Sequence, residues 1–250
     1  MIEPEGKDLR GGRLLGAIRN VVHEWRQGAS VCEPASALRL AADFVLYRAL
    51  GLGHLPFENR RHAVRLRSGQ RVEYRLNRGD LQSIREVLLD EAYRLPFPMW
   101  PRVIVDLGAN IGLTSLWLAM HYAPDVVLAV EPDPDNARLA RSNLEPLGAT
   151  VVEAAVGPAD GRAHFRRARA SNLGAVVLAE EVDAASVDML SIPTLLDRHG
   201  IDTVDLVKLD IEGGEQALLD GDVTWLSRVR SLIVEFHPTI VDYERLVKRV

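Results

Sequence analysis

The sequence predicts an α/β protein: a doubly wound, mainly parallel sheet with an N-terminal helical and hairpin extension. After Pro101, short apolar runs alternate with segments of helical length, as in parallel strands covered by helices on both faces. Before it, two helical segments precede one alternating hairpin. Pro96, Pro98 and Pro101 separate the two patterns. We therefore expect a helical and hairpin lid segment over residues 1–98 and a Rossmann-like domain over residues 99–250.

The extension begins with two predicted helices, residues 14–25 and 35–52, and the second ends in Gly-Leu-Gly. Residues 62–76 alternate apolar and polar side chains on both sides of Gly69, which is typical of a β-hairpin with glycine in its turn. Apolar residues on one face then predict a helix over residues 81–93.

The sheet domain is predicted to contain five strands with helices between them. The expected strands are 103–105, 126–130, 150–156, 204–211 and 229–236, and the expected helices are 113–122, 134–147, 214–219 and a last one from residue 240. A long, turn-rich insertion up to about Asp188 should follow the third strand, where it could cover a ligand. Ligands of open parallel sheets bind at the carboxyl ends of the strands.

Composition excludes several classes of protein. Apolar residues make up 47% and charged residues 26%, as in folded globular chains. The single cysteine, Cys32, excludes a disulfide framework and a cysteine-based zinc site. The longest apolar region, residues 35–53, is interrupted by Arg39, Asp43 and Arg48, and the acidic N-terminus lacks a signal-peptide core. We expect a cytoplasmic protein that does not act at a membrane.

The charge is unevenly distributed. Residues 1–100 contain 16 Lys and Arg against 12 Asp and Glu, whereas residues 101–250 contain 14 against 23. Seven arginines lie between Arg60 and Arg78. A basic front half docked on an acidic back half explains this pattern; the alternative is a basic lid that attracts an anionic substrate or an acidic carrier protein. We expect no nucleic-acid partner, because the net charge is −5 and no cluster of stacking aromatics is present.

The most informative segment joins the first predicted strand to the helix after it. Asp106 ends the strand, and Gly108 and Gly112 flank Asn110. The glycines permit a tight turn and a close approach of the helix to a bound molecule and to the sheet. A dinucleotide-binding turn would carry glycine in place of Asn110, and a carboxylate at the rim would repel a pyrophosphate. The turn therefore favours S-adenosylmethionine, which carries an ammonium group, over NAD.

Further positions extend this candidate cofactor site. Glu131 ends the second strand, where an acidic side chain can accept hydrogen bonds from both ribose hydroxyls, and Asp133 could substitute or assist. Glu153, or the backbone around Ala155, is the expected wall for the adenine. The simpler alternative is that Asp106 and Glu131 only cap helices.

A second cluster of charged residues lies along the end of the predicted fourth strand. Lys208, Asp210 and Glu212 alternate along the chain, so they point to one side if it remains extended. Ionisable groups at the end of an apolar strand are costly unless they meet partners or a ligand. A structural ion pair of Lys208 with a carboxylate is the alternative. We favour a site role for Asp210 and Glu212, and a helix-capping role for Glu215.

Three segments together resemble the FkbM family of S-adenosylmethionine-dependent methyltransferases: Asp-Leu-Gly-Ala-Asn-Ile-Gly at 106–112, Glu-Pro at 131–132, and Lys-Leu-Asp-Ile-Glu-Gly-Gly-Glu at 208–215. The resemblance covers about residues 62–240. It implies a class I methyltransferase fold and methyl transfer to oxygen, commonly a hydroxyl of a sugar, polyketide or other secondary metabolite. The family's domain implies two more strands after the fifth helix, and because the sequence ends at Val250 we expect them to be missing.

A hydroxyl acceptor must also lose a proton, so a base or a metal is useful. His237 follows the fifth strand, and an ordinary histidine pKa of about 6.5 suits a base; a loop histidine bonded to backbone is the alternative. In a rival scheme Asp210, Glu212 and His237 hold a magnesium ion, although no dedicated metal motif is present. We predict His237, Asp210 and Glu212 as catalytic residues and no resident metal.

Two other interpretations stay open. One is a non-catalytic, methyltransferase-like module that binds a partner through the basic hairpin. The other is an NAD-dependent oxidoreductase, which the missing middle glycine opposes. The expected partner is a small-molecule hydroxyl acceptor, and Trp25 on the first helix is a candidate contact with a second subunit in a homodimer.

Overall fold

The computed structural model describes residues 8–49, 59–166, 175–177, 185–211 and 214–235. The chain forms two compact units, Met1–Asp90 and Glu91–Val250. Within the described ranges, none of the helices combines the length and the apolar character that a membrane span requires.

The first unit contains helices and a two-stranded antiparallel sheet. Its elements are α1 (Asp8–Val31), α2 (Pro34–Ala49), β1 (Arg61–Arg65), β2 (Arg71–Arg75) and α3 (Arg78–Ser83), which continues as a π-helical segment over Ile84–Leu89. The predicted hairpin is present, and Gly69 in its turn has φ of +95°. The helix predicted over 81–93 instead spans 78–89, because the side chain of Asn77 caps it by accepting the backbone N–H of Asp80.

Two buried carboxylates join the elements of this unit. Asp43 of α2 accepts the hydroxyl of Tyr74 at 2.5 Å, and its Oδ2 lies 2.7 Å from Nδ1 of His62. Glu24 of α1 pairs with Arg85 of the π-helical segment. Buried carboxylates are stable only where such partners satisfy them. These pairs therefore fix the hairpin to α2, and the π-helical segment to α1.

The second unit contains the predicted parallel sheet. Its strands are β3 (Val103–Leu107), β4 (Val126–Val130), β5 (Thr150–Val152), β6 (Ala155–Val156), β7 (Gly161–Arg166), β8 (Ala175–Val177), β9 (Ala185–Leu190), β10 (Leu206–Leu209) and β11 (Leu232–Val234). Its helices are α4 (Leu113–Tyr122), α5 (Pro134–Leu144), α6 (Ile192–Arg198) and α7 (Glu215–Asp220), with 3₁₀ turns at Glu145–Leu147 and Thr224–Arg228.

Five of these strands form a parallel sheet in the order β11–β10–β3–β4–β5. Numbered along the sheet domain, this order is 3-2-1-4-5 read from the β5 edge, which is the doubly wound arrangement that the sequence predicts. The winding reverses between β3 and β10. The carboxyl ends of these two strands therefore flank the crevice in which such folds bind ligands.

The two faces of the sheet differ in character. One face packs as an apolar core against α6, α7 and the second 3₁₀ turn; its members include Val105, Leu107, Leu128, Val130, Val207, Leu209, Leu195, Leu196, Leu218, Leu219 and Trp225. Because neighbouring residues of a strand point to opposite faces, Asp106 and Lys208 lie on the other face. That is the α4 side, where Ser115 of α4 hydrogen-bonds to Asp106.

The region after the third strand differs from the prediction. The chain leaves the parallel sheet after Val152, and β6 joins a second sheet in the order β6–β9–β7–β8. The predicted turn-rich insertion is therefore partly β-structure. Within it, β7 and β9 pair as antiparallel strands. The fourth and fifth strands are shorter than predicted, and the helix expected from residue 240 lies outside the described residues.

Candidate cofactor and active site

The crevice between β3 and β10 brings charged residues from both strands together. Lys208 stands beside Asp106 in the parallel register, and Leu209 stands beside Leu107. Residues in register on neighbouring strands present their side chains on the same face. The register therefore forces Lys208 and Asp106 into contact at the crevice.

The ammonium group of Lys208 is surrounded by three acceptors. Its Nζ donates to the carbonyl oxygen of Gly108 at 2.8 Å and lies 3.3 Å from Oδ1 of Asp106 and 3.2 Å from Oδ2 of Asp210. These acceptors match the three protons of an ammonium group. Burial by itself lowers the pKa of Lys208, but the two carboxylates outweigh it and raise the pKa above its usual range. We call Lys208, Asp106 and Asp210 the Lys208 cluster.

Asp106 lies below the rim of the crevice. Its side chain is 0% exposed, its Oδ2 accepts the hydroxyl of Ser115 at 2.6 Å, and its Oδ1 faces Lys208. The expectation of a carboxylate at the rim is therefore wrong, because the register with Lys208 draws Asp106 into a buried ion pair. Asp106 can influence a ligand through its charge, while Asp210, whose side chain is partly exposed, lies nearer the surface.

The turn after β3 uses left-handed backbone at Gly108, Asn110 and Gly112, with φ of +81°, +51° and +82°. A Cβ at Gly108 would lie 1.7 Å from the carbonyl oxygen of Asp210. A Cβ at Gly112 would lie 3.1 Å from Cα of Ala140. Gly108 therefore lets the turn approach the end of β10. The prediction was that Gly112 lets α4 approach the sheet. In the structure, Gly112 instead lets the start of α4 approach α5.

Glu131 ties this turn to the start of α5. Its Oε2 accepts the backbone N–H of Asn110 at 2.8 Å, and its Oε1 accepts the N–H of Asp133 at 2.9 Å and Nδ2 of Asn136 at 3.3 Å. Burial raises the pKa of Glu131 from 4.5 to about 7, although these hydrogen bonds oppose the shift. Since Oε2 accepts one hydrogen bond among the described residues, it keeps the capacity for one more.

Two other predicted cofactor residues have structural contacts. Asp133 caps α5, because its Oδ1 accepts the backbone N–H groups of Asp135 at 2.7 Å and Asn136 at 3.1 Å. Ala155 is buried in β6 opposite Met189, beyond the end of the third parallel strand. The side chain of Glu153, the alternative adenine wall, pairs with an arginine of α5 at 3.1 Å. The ribose and adenine roles stay predictions.

Tyr93 is a site residue that the sequence reasoning missed. The Nζ of Lys208 lies 5.7 Å from the centroid of its ring, and its hydroxyl donates to Oε2 of Glu235 at 2.8 Å. Burial is the main cause that raises the pKa of Tyr93 above its usual range. No local pattern indicates this contact, because Tyr93 lies more than a hundred residues from Lys208 in sequence. Ser115 had a signal: a hydroxyl in the first turn of the helix after Asp106.

Only one of the three predicted catalytic residues lies within the described part of the chain. Asp210 belongs to the Lys208 cluster, whereas Glu212 and His237 lie outside the described residues. Glu215 is fully buried and accepts the N–H of Ile211 at 2.8 Å, a structural contact with a residue that precedes α7. The helix-capping role of Glu215 stays a prediction. No three His, Cys, Asp or Glu side chains meet as metal ligands in the described part of the chain. The magnesium scheme also involves Glu212 and His237, which lie outside the described residues, so it stays an untested alternative.

A doubly wound sheet with a glycine turn after its first strand and acids near the ends of its first two strands defines a Rossmann-like fold. The sequence model of the Methyltransferase FkbM domain matches residues 106–248, more than half of the chain. The chain therefore belongs to the FkbM methyltransferase family, and its fold is that of a class I methyltransferase.

Three curated relatives are similar in sequence to this chain. The AMB antimetabolite synthetase AmbE of Pseudomonas aeruginosa is 25% identical over 92% of this chain, but the chain spans only 13% of that synthetase. Methyltransferase 1 of Beauveria bassiana is 25% identical over 60% of this chain and 71% of its own length. The 31-O-demethyl-FK506 methyltransferase FkbM of Streptomyces tacrolimicus is 27% identical over 70% of this chain and 81% of its own length.

Replacing Gly108 with alanine should disrupt the second unit, because the new Cβ would overlap the backbone of Asp210. Gly148→Ala is the matched control: Gly148 also has positive φ, +65°, but its Cβ would meet nothing within 4 Å. We expect Gly148→Ala to cost about 1–2 kcal/mol and Gly108→Ala at least about 2 kcal/mol more, measured by urea unfolding. Equal losses would contradict the close approach.

The buried Glu131 should make stability depend on pH. Between pH 4.5 and about 7 the folded protein keeps a proton that the unfolded chain has lost, so the contribution of this group is lost as the pH rises through that range. The unfolding free energy of the wild type minus that of Glu131→Gln should therefore fall by on the order of 2 kcal/mol from pH 5 to pH 8. Urea unfolding at each pH measures it, and a constant difference would contradict the prediction.

Proposed function

We propose that this protein is an S-adenosylmethionine-dependent O-methyltransferase that acts on a hydroxyl group of a small molecule. The main observation behind this proposal is the Lys208 cluster. It gives the crevice between β3 and β10 an excess of negative charge. Membership of the FkbM family supports methyl transfer. A relative named as the methyltransferase of 31-O-demethyl-FK506 supports oxygen as the acceptor atom and a small molecule as the substrate.

The hydrogen bonds of the site fit a cationic ligand better than a pyrophosphate. The Nζ of Lys208 donates to the carbonyl oxygen of Gly108 and lies within 3.3 Å of two carboxylates, so protein groups already occupy the surroundings of this ammonium group. The backbone N–H of Asn110 donates to Glu131, whereas a dinucleotide-binding turn offers its N–H groups to the pyrophosphate. Both features weigh against an NAD-dependent oxidoreductase.

The cofactor would be held by groups from three strand ends. Glu131 would accept a ribose hydroxyl through Oε2, with Asp133 beside it, and the backbone near Ala155 would contact the adenine. Gly108, Asn110 and Gly112 would shape the turn, and Asp106 would contribute charge. When bound, S-adenosylmethionine would supply an electrophilic methyl group. The protein's task is then to hold an acceptor oxygen close to that group and in line with its bond to sulfur.

We propose that residues following β11 remove the proton from the acceptor hydroxyl group. His237 remains the proposed base, because it follows β11 by three residues in sequence. Asp210 and Glu212 are proposed to line the acceptor position. Glu235 is a second candidate base, since the hydroxyl of Tyr93 orients its carboxylate at 2.8 Å and the side chain is exposed. A resident metal is not required by this scheme, and a homodimer stays a prediction.

Ligand binding tests the cofactor assignment. We expect isothermal titration to detect S-adenosylmethionine and not NAD. Glu131→Ala should weaken binding at least about tenfold, because it removes both the ribose acceptor and the bond to Asn110. Asp188→Asn, a change at an exposed carboxylate paired with Arg162, is the control and should bind normally. Binding of NAD alone, or normal affinity in Glu131→Ala, would contradict the assignment.

Transfer of a radiolabelled methyl group to a panel of sugars and polyketides tests the reaction. His237→Ala should lower turnover by about a hundredfold or more, while the affinity for S-adenosylmethionine changes less than about twofold. If the carboxylate of Glu235 is the base, Glu235→Gln should show this loss of turnover and His237→Ala should not. Cofactor binding without transfer to any acceptor in the panel would favour the non-catalytic module.

A further inference from the structure

The Lys208 cluster contains more negative than positive charge. Lys208 contributes one positive charge and Asp106 and Asp210 contribute two negative charges, so the formal charge of the cluster is −1. The Lys208 and Asp106 side chains are 2% and 0% exposed, whereas that of Asp210 is 19% exposed. The buried pair is weakly screened by water, and Asp210 is the member that reaches the surface of the crevice.

Both carboxylates of the cluster lie beside donor groups. Ser115 donates to Oδ2 of Asp106, and Lys208 lies within 3.3 Å of both acids. The carbonyl of Gly108, which also accepts from Lys208, adds the negative end of a dipole at the same place. The crevice between β3 and β10 is therefore fixed as an environment that favours a positive charge.

We propose that the Lys208 cluster selects the positively charged methyl donor over the uncharged product of the reaction. This inference rests on the proposed function. S-Adenosylmethionine and S-adenosylhomocysteine share their adenine, ribose and amino-acid groups, and they differ by one methyl group and one positive charge at sulfur. Contacts of Glu131 and of the turn are common to both molecules. The charge of the cluster distinguishes them, with Asp210 as the main determinant.

This selectivity has a use in turnover. A site that recognised only the shared groups would hold donor and product equally, and accumulated product would then block the next donor. A negatively charged crevice weakens the hold on the molecule that has lost its positive charge. Product release and donor binding are thereby favoured by the same fixed charges.

Titration calorimetry on the full chain tests the inference without an acceptor. The probes are S-adenosylmethionine, S-adenosylhomocysteine and sinefungin, in which a carbon atom that carries a protonated amine replaces the methylated sulfur. The wild type should bind the two charged probes about tenfold more tightly than S-adenosylhomocysteine. Asp210→Asn keeps the shape of the side chain and removes its charge. It should weaken both charged probes about tenfold and change S-adenosylhomocysteine less than about twofold.

Two further variants control this comparison. Asp210→Glu restores the charge and should restore the preference for the charged probes, whereas Asp188→Asn removes an exposed charge outside the cluster and should leave it unchanged. An Asp210→Asn variant that weakens all three probes equally, or none of them, would overturn the inference while the proposed function stands.

The wild type provides a test that depends on no variant. If it binds S-adenosylmethionine but binds sinefungin no more tightly than S-adenosylhomocysteine, charge selection is overturned. If it binds none of the three probes, the proposed function fails and the inference fails with it.

Discussion

The ion pair between Lys208 and Asp106 determines how the rest of the site is arranged. Two strands that are distant in sequence meet in parallel, and their register places a cation beside an anion inside the sheet. Because a buried charge is stable only with its partner, a shift of either strand would leave an unpaired charge. The pair thus fixes the register of β10 on β3 and, through the carbonyl of Gly108, the start of the turn.

The second constraint is the carboxylate of Glu131, which holds the other end of that turn. Its bonds to Asn110 and to the start of α5 compensate for left-handed backbone that a non-glycine residue rarely adopts. The turn is therefore fixed before any ligand arrives, which reduces the cost of ordering it on binding. The same carboxylate serves both structure and the proposed ribose contact, so its removal should affect both together.

Periodicity and composition were sufficient to predict the parallel sheet, because its strands are apolar runs with glycine turns between them. They were not sufficient for β7 and β9, whose pairing depends on contacts about 25 residues apart in sequence. At the site, the residue types of Asp106, Glu131 and Lys208 were visible in the sequence, and an ion pair of Lys208 with a carboxylate was one of the two interpretations. The burial of these residues and the choice of Asp106 as a partner were not visible. Those follow from strand register, which a single sequence does not determine. Tyr93 left no local signal because its contact with Lys208 joins residues more than a hundred positions apart.

The burial and persistent charge of Lys208 also have a practical consequence for amine chemistry. The sequence contains only three lysines, Lys7, Lys208 and Lys248. Acylating reagents attack unprotonated, accessible amines, and Lys208 is neither. Labels and surface attachments made through amines should consequently be confined to the two ends of this sequence, leaving the crevice unmodified.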